Sequence, residues 1–174
     1  MKKTIAILMA AILALALCTT AFAATYTDRD HDLTFEYDDK LFEITMDDQS
    51  DDELLVILSG KEKTWGETSV SIHLADLDDG EKFPTMADFD DMVAATGDKV
   101  TQGEWNGFKD VFMYTSTFED GTSESVFIVP IYDHDEPEVE DILTVKIGVT
   151  AMEDSMARDD AISAIVDTLK VLDD

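Results

Sequence analysis

The sequence predicts an α+β domain: an antiparallel sheet of about six to eight strands covered by two amphipathic helices. Three observations carry this. Apolar and polar residues alternate over several short runs, most cleanly where Leu143, Val145, Ile147 and Val149 interleave with Thr144, Lys146 and Gly148, the period of a strand. Turn residues, above all Asn106-Gly107, separate such runs at hairpin spacing. Two stretches, after Pro84 and after Ser155, instead place apolar residues three and four apart, the period of a helix.

The elements follow in order. Leu33, Phe35 and Tyr37 alternate with Thr34 and Glu36, then Asp38-Asp39-Lys40 reads as a turn and residues 41–46 as the returning strand of a hairpin. Residues 47–53 read as a charged loop. Leu54 to Leu58 is continuously apolar, as in a strand buried on both faces. Val70, Ile72 and Leu74 alternate with Ser69, Ser71 and His73. Thr85 followed by Asp88 has capping-box spacing, Phe89, Met92 and Val93 share one helical face, and Gly97 closes the helix. Strands over 99–105 and 108–118 flank Asn106-Gly107, and Glu119-Asp120-Gly121-Thr122 makes a second hairpin turn into 125–132. Pro130 there indicates an edge position or a bulge, because proline lacks the ladder N–H. An acidic loop over 133–141, the strand through Leu143–Val149 and a helix over 155–169 with an Ile162, Ile165, Val166 and Leu169 stripe complete the chain.

The first 23 residues stand apart. Met1-Lys2-Lys3 is a basic start, Ile5 to Leu17 an apolar core, and Ala21-Phe22-Ala23 a small-x-small ending, the three parts of a cleavable secretory signal with its cut after Ala23. The apolar run is shorter than the roughly 20 residues of a membrane span. Lipid attachment at Cys18 is disfavoured by the large Leu17 before it. The chain therefore divides into a signal peptide (1–23), a polar leader (24–32) and a single globular α+β domain (33–174), exported to the periplasm, the cell surface or beyond. No integral membrane segment is expected after cleavage.

Composition narrows the function. The chain holds 40 acids and 12 bases, a formal charge of −28, and loses two of those bases, Lys2 and Lys3, with the signal. Such a field repels phosphate backbones and anionic lipid heads, so nucleic acid is excluded as a partner. A basic partner, an envelope or extracellular protein, or a divalent cation remains. Dispersed acids also serve solubility alone. Cys18 is the only cysteine, so the mature chain is cysteine-free and holds neither disulfide nor thiol chemistry.

The order of elements resembles the PsbP/Mog1-like fold group of exported α+β accessory proteins. Three segments carry the likeness: the opening hairpin from Leu33 to Ile44, the Gly103-Glu104-Trp105-Asn106-Gly107 corner, and the closing strand and helix from Leu143 to the Thr168-Leu169-Lys170-Val171-Leu172 ending. Where this chain has Asp38, the family's opening turn often has proline. The resemblance implies an accessory or binding protein and no functional residue.

Chemical motifs are sparse. His73 shares a strand face with Ser69 and Ser71, but no serine sits in a Gly-x-Ser-x-Gly elbow. Three scattered histidines and no mature cysteine argue against zinc. Acidic runs at Asp28–Asp32, Asp76–Glu81 and Asp133–Glu136 invite calcium, which takes carboxylate oxygens. However, Leu33 stands where a calcium loop needs glycine, Gly80 falls one place early with Ala87 at the closing position, and the third run lacks the loop pattern. Trp65 and Trp105 lie beside turns, where an indole either stacks on a ligand or packs over a sheet end. No residue is assigned as catalytic, cofactor-binding or metal-ligating. The reading is an exported, noncatalytic binding or accessory domain, with a calcium-dependent cell-surface module and a hydrolase of unrecognised type as alternatives.

Overall fold

Alternation dominates the chain, and the architecture follows it further than expected. The computed structural model describes residues 23–77, 82–93, 98–132, 139–150 and 155–172. Residues 1–22, where the sequence places most of a secretory signal, lie outside the described residues, as do Gly97, most of the second acidic run and all of the third. Among the described residues there are ten strands: β1 (Ala23–Asp28), β2 (Leu33–Asp38), β3 (Phe42–Gln49), β4 (Glu53–Gly60), β5 (Thr68–Asp76), β6 (Thr101–Trp105), β7 (Phe108–Thr117), β8 (Ser123–Tyr132), β9 (Val139–Val149) and β10 (Lys170–Val171). The helices are α1 (Met86–Val93) and α2 (Met156–Thr168), with a 3-10 turn at Lys63–Trp65. Strands hold 57% of the described residues and helices 18%. The protein is thus mostly β, which corrects the expectation of one sheet under two helices.

Two antiparallel sheets form, one ordered β1-β2-β10 and one ordered β3-β4-β5-β9-β8-β7-β6. The expected opening hairpin does not form. The turn itself is real, since Leu41 N donates to Asp38 O at 3.0 Å and Lys40 N to the Asp38 carboxylate at 2.9 Å. Yet β2 pairs with β1 along its whole length, from Asp28↔Leu33 to Ala23↔Asp38, while β3 pairs with β4. The turn is a corner between sheets, and it lets Leu33, Phe35 and Phe42 enter one core from two layers, each 0–1% exposed. Residues 24–28 are likewise a strand and not a loose leader. Thr25, Tyr26 and Thr27 favour extended backbone, and Tyr26 stacks on its cross-strand neighbour Phe35 at 4.9 Å.

One face of the large sheet carries Leu54, Val56, Leu58, Val70, Ile72, Leu143 and Val145, all buried, and packs with β2, with Ile162, Ile165 and Val166 of α2, and with Leu169 just after it. β4 is buried on this side only, because Leu55 and Ile57 on its other side are half-buried. α1 belongs to a separate cluster, in which Phe89 and Val93 meet Phe112, Val126 and Ile128; these positions are out of phase with the first set, which puts them on the opposite face. Its start matches the expected cap in part: the Asp88 carboxylate accepts from both the backbone N–H and the hydroxyl of Thr85, at 2.8 and 2.7 Å. Those bonds hold the Asp88 carboxyl below its usual range.

Asn106 (φ 49°) and Gly107 (φ 85°) form the predicted β6–β7 turn, both in the left-handed region that a two-residue hairpin loop requires. Pro130 lies on an interior strand, but the β7–β8 ladder ends at Phe112↔Ile128. Continued two residues, that register would set Asp110, itself at φ 57°, opposite the proline. The proline thus lies beyond the end of the β7–β8 ladder.

Candidate functional site

The corner at Asp38–Leu41 separates β2 from β3, and α2 crosses beside it. Between them lies an open groove of about 250 Å³. Its floor is apolar, made by Tyr37 and Leu41 from the corner and by Ala157, Ala161 and Ala164 from α2. The alanines recur four and three residues apart, so they line one side of the helix. A leucine at any of them would fill the space that they leave open. Glu36, Asp38 and Asp160 also line it.

The helix is held firmly at its C-terminal end. Thr168 Oγ1 accepts from Glu36 N at 2.8 Å and donates to Ala164 O at 2.7 Å. β10 then pairs with β2, Lys170 opposite Thr34. Asn106 Nδ2 donates to Val166 O and Leu169 O at 2.7 and 3.1 Å, satisfying carbonyls that a helix end leaves open. At the other end the Ser155 hydroxyl accepts from Arg158 N at 3.2 Å, a serine N-cap. The groove is thus formed between two fixed elements.

A second polar cluster lies at the β1–β2 turn. Asp28 Oδ1 accepts from Asp30 N, His31 N and His31 Nδ1 at 3.0, 2.9 and 3.0 Å. Burial works against the charge of Asp28, but those bonds outweigh it and hold its carboxyl below the ordinary value. The other ring nitrogen of His31 lies 3.0 Å from Ser50 O, so the imidazole ties the small sheet to the β3–β4 loop. Nearby, Asp76 of β5 and Asp141 of β9 are cross-strand partners. Burial, the Asp76 and Glu140 charges and a hydrogen bond to Asp76 push the Asp141 carboxyl up to about 6.

The first acidic run therefore has Asp28 engaged with its own turn, and Asp76 of the second is engaged with Asp141. Among the described residues no group of three or more His, Cys, Asp or Glu side chains is arranged to hold a metal ion. His73 bonds Glu53 through Nε2. Among the described residues no serine hydroxyl bonds its ring, and the Ser69 hydroxyl lies against Gly148. Trp65 is buried against Phe42, ring centroids 5.9 Å apart, and Trp105 is half-buried and stacks on Phe127 at 4.3 Å. Both pack within the fold. Sequence reasoning misses the groove because the isoleucine stripe dominates the pattern of α2; the alanines flanking that stripe are the available signal.

No known family model matches the chain, and neither a curated protein nor a solved structure matches it. None of the comparisons ties it to the PsbP/Mog1-like group. No helix among the described residues is long and apolar enough to cross a membrane.

Proposed function

We propose that the chain is an exported, noncatalytic binding domain whose β2–α2 groove takes a short segment of a partner protein, an apolar side chain flanked by Lys or Arg. The observation that carries this is the groove, lined mainly by apolar groups and also by the acidic residues Glu36, Asp38 and Asp160. Its volume of about 250 Å³ lies below the roughly 300–1,000 Å³ of most small-molecule pockets and suits one or two side chains of a peptide. The apolar floor supplies desolvation on binding, while the acidic residues and the overall charge of −28 attract bases and repel acids. Export is supported by the three-part leader.

The test uses labelled Lys-Lys-X-X-Lys-Lys peptides, with X apolar or serine, and follows fluorescence anisotropy. Apolar peptides are expected to bind and serine peptides to bind at least ~10-fold more weakly, since a filled apolar site contributes about 1.5–3 kcal/mol per side chain. Ala164→Trp, which fills the groove from an exposed position on α2, abolishes that preference while leaving the melting curve cooperative. Equal binding of both peptide classes, or an Ala164→Trp protein that keeps the preference, refutes the groove as the site.

A further inference from the structure

We propose a second binding site on the large sheet, where Lys99, Thr115, Met113 and Phe127 take a small monocarboxylate with an apolar body. It is separate from the β2–α2 groove and does not rest on that reading. α2 covers only part of its face of the large sheet. Asn106 ties the end of the helix to the β6–β7 turn. Away from that turn the same face is open, although Met113 and Phe127 still pack against the core beneath α2. An open pocket of about 340 Å³ lies there, lined by Lys99, Thr101, Met113, Tyr114, Thr115 and Phe127. That volume falls within the roughly 300–1,000 Å³ of most small-molecule sites.

Two cross-strand rows give the pocket its chemistry. Met113 pairs with Thr101 on one side and with Phe127 on the other. Met113 and Phe127 are half-buried and form the apolar row. The Met113 methyl lies over Gly103, where a Cβ would stand 3.3 Å from it. The Phe127 ring is fixed by its stack on Trp105 at 4.3 Å. In the polar row Thr115 pairs with Ser125, their hydroxyls 3.0 Å apart. One of these hydroxyls donates to the other, which leaves the second with a proton to give to a ligand. Continued two residues, the Thr101↔Met113 register sets Lys99 opposite Thr115. Lys99 is exposed and makes no ion pair or hydrogen bond among the described residues. Two residues along a strand set the rows about 7 Å apart, which is the separation of carboxylate and apolar body in the ligand.

Charge selects the head group. Among the described residues Lys99 is the only charged one lining the pocket, in a chain of 40 acids and 12 bases. The nearby acids are turned to the other face of the sheet. Asp98 accepts from the Ser116 hydroxyl, and burial, with the Glu124 and Asp98 charges, pushes up the phenol of Tyr114, a member of the α1 cluster. Charges further off than about 8 Å are largely screened at physiological salt, so Lys99 sets the local sign. A second anionic group would meet no base and would face the field of a chain of charge −28.

The test follows amide chemical shifts of the full chain during titration with phenylbutyrate, with its neutral amide, and with butyrate, which lacks the ring. Phenylbutyrate is expected to move the amides of Lys99, Thr101, Met113, Thr115 and Phe127. It binds about 5-fold more tightly than its amide, as an exposed ion pair allows, and at least ~10-fold more tightly than butyrate, since the ring leaves water. Lys99→Met keeps the apolar stem at an exposed position and removes the charge; it brings acid and amide to equal affinity while leaving the melting curve unchanged. Equal binding of acid and amide to the parent chain, a preference that survives Lys99→Met, or shifts centred on the β2–α2 groove overturns the proposal. Tighter binding by a peptide ending in phenylalanine than by the free acid overturns the small-molecule assignment.

Discussion

The Asp76–Asp141 pair makes a pH prediction of definite sign. Asp141→Asn replaces a carboxyl by an amide of nearly the same shape, able to donate to the Asp76 carboxylate as a protonated Asp141 does. The Asp141 carboxyl is pushed up to about 6 in the folded chain, against about 3.9 in an unfolded one. Between those values the native state binds the extra proton, so stability from this group is fully present below about pH 4 and is lost as pH rises through 6. For a fully buried group the gap corresponds to about 3 kcal/mol; Asp141 is half-buried, and solvent screening reduces this to about 1–1.5 kcal/mol. Asp141→Asn is therefore expected to exceed the parent chain by that amount at pH 7.5 and to match it at pH 4. Urea denaturation followed by Trp65 and Trp105 fluorescence measures the difference. Removing any one acid relieves some self-repulsion in a chain of charge −28, so Asp90→Asn, on the exposed side of α1, supplies the general effect to subtract. A difference between the Asp141→Asn variant and the parent chain that is the same at both pH values refutes the reasoning.

Two further predictions concern single side chains. His31→Ala breaks the link between Asp28 and Ser50 O and is expected to cost about 1–3 kcal/mol, with the loss read from urea melts near neutral pH. Asn106→Gly keeps a residue suited to φ 49° but removes both bonds to the end of α2. It is expected to cost about 1–2 kcal/mol and to raise amide exchange at Leu169–Val171, whereas an unchanged exchange pattern would show that the cap does not hold the helix end.

The strands were legible because their period depends on side chains alone: Leu143–Val149 and Val70–Leu74 alternate in the sequence as they do in the sheet. The Asn106-Gly107 turn was legible because its backbone requires the left-handed region, which few residues enter readily. The pairing of β2 was not legible. Asp38-Asp39-Lys40 makes a tight turn whether the next strand returns along β2 or leaves for another sheet, and that choice depends on β1 and β4. β1 itself was hidden by its polarity, since Thr25 and Thr27 face outward and Tyr26 alone contributes a large apolar surface. A period says which side of a helix is apolar and not which face of a sheet it meets, so the sequence does not reveal that the two helices lie on opposite faces of the large sheet and do not jointly cover one face.

The same limit explains why the groove escaped a reading for motifs. A hairpin from Leu33 to Ile44 would place β3 directly beside β2, and the edge that α2 crosses would be occupied. The groove exists because the chain turns the corner at Asp38–Leu41 and because Ala157, Ala161 and Ala164 are too small to fill the space beside it. Neither fact is a motif; one is a choice of strand partner and the other an absence of side-chain volume. Asp38 lines the groove and also accepts from Lys40 N in its own turn. Asp38→Asn keeps an acceptor for that bond, so it is expected to leave the corner and the melting curve intact while weakening the binding of the Lys-Lys-X-X-Lys-Lys peptides. Anisotropy titrations that superpose for the variant and the parent chain would show that this charge does not contribute to recognition.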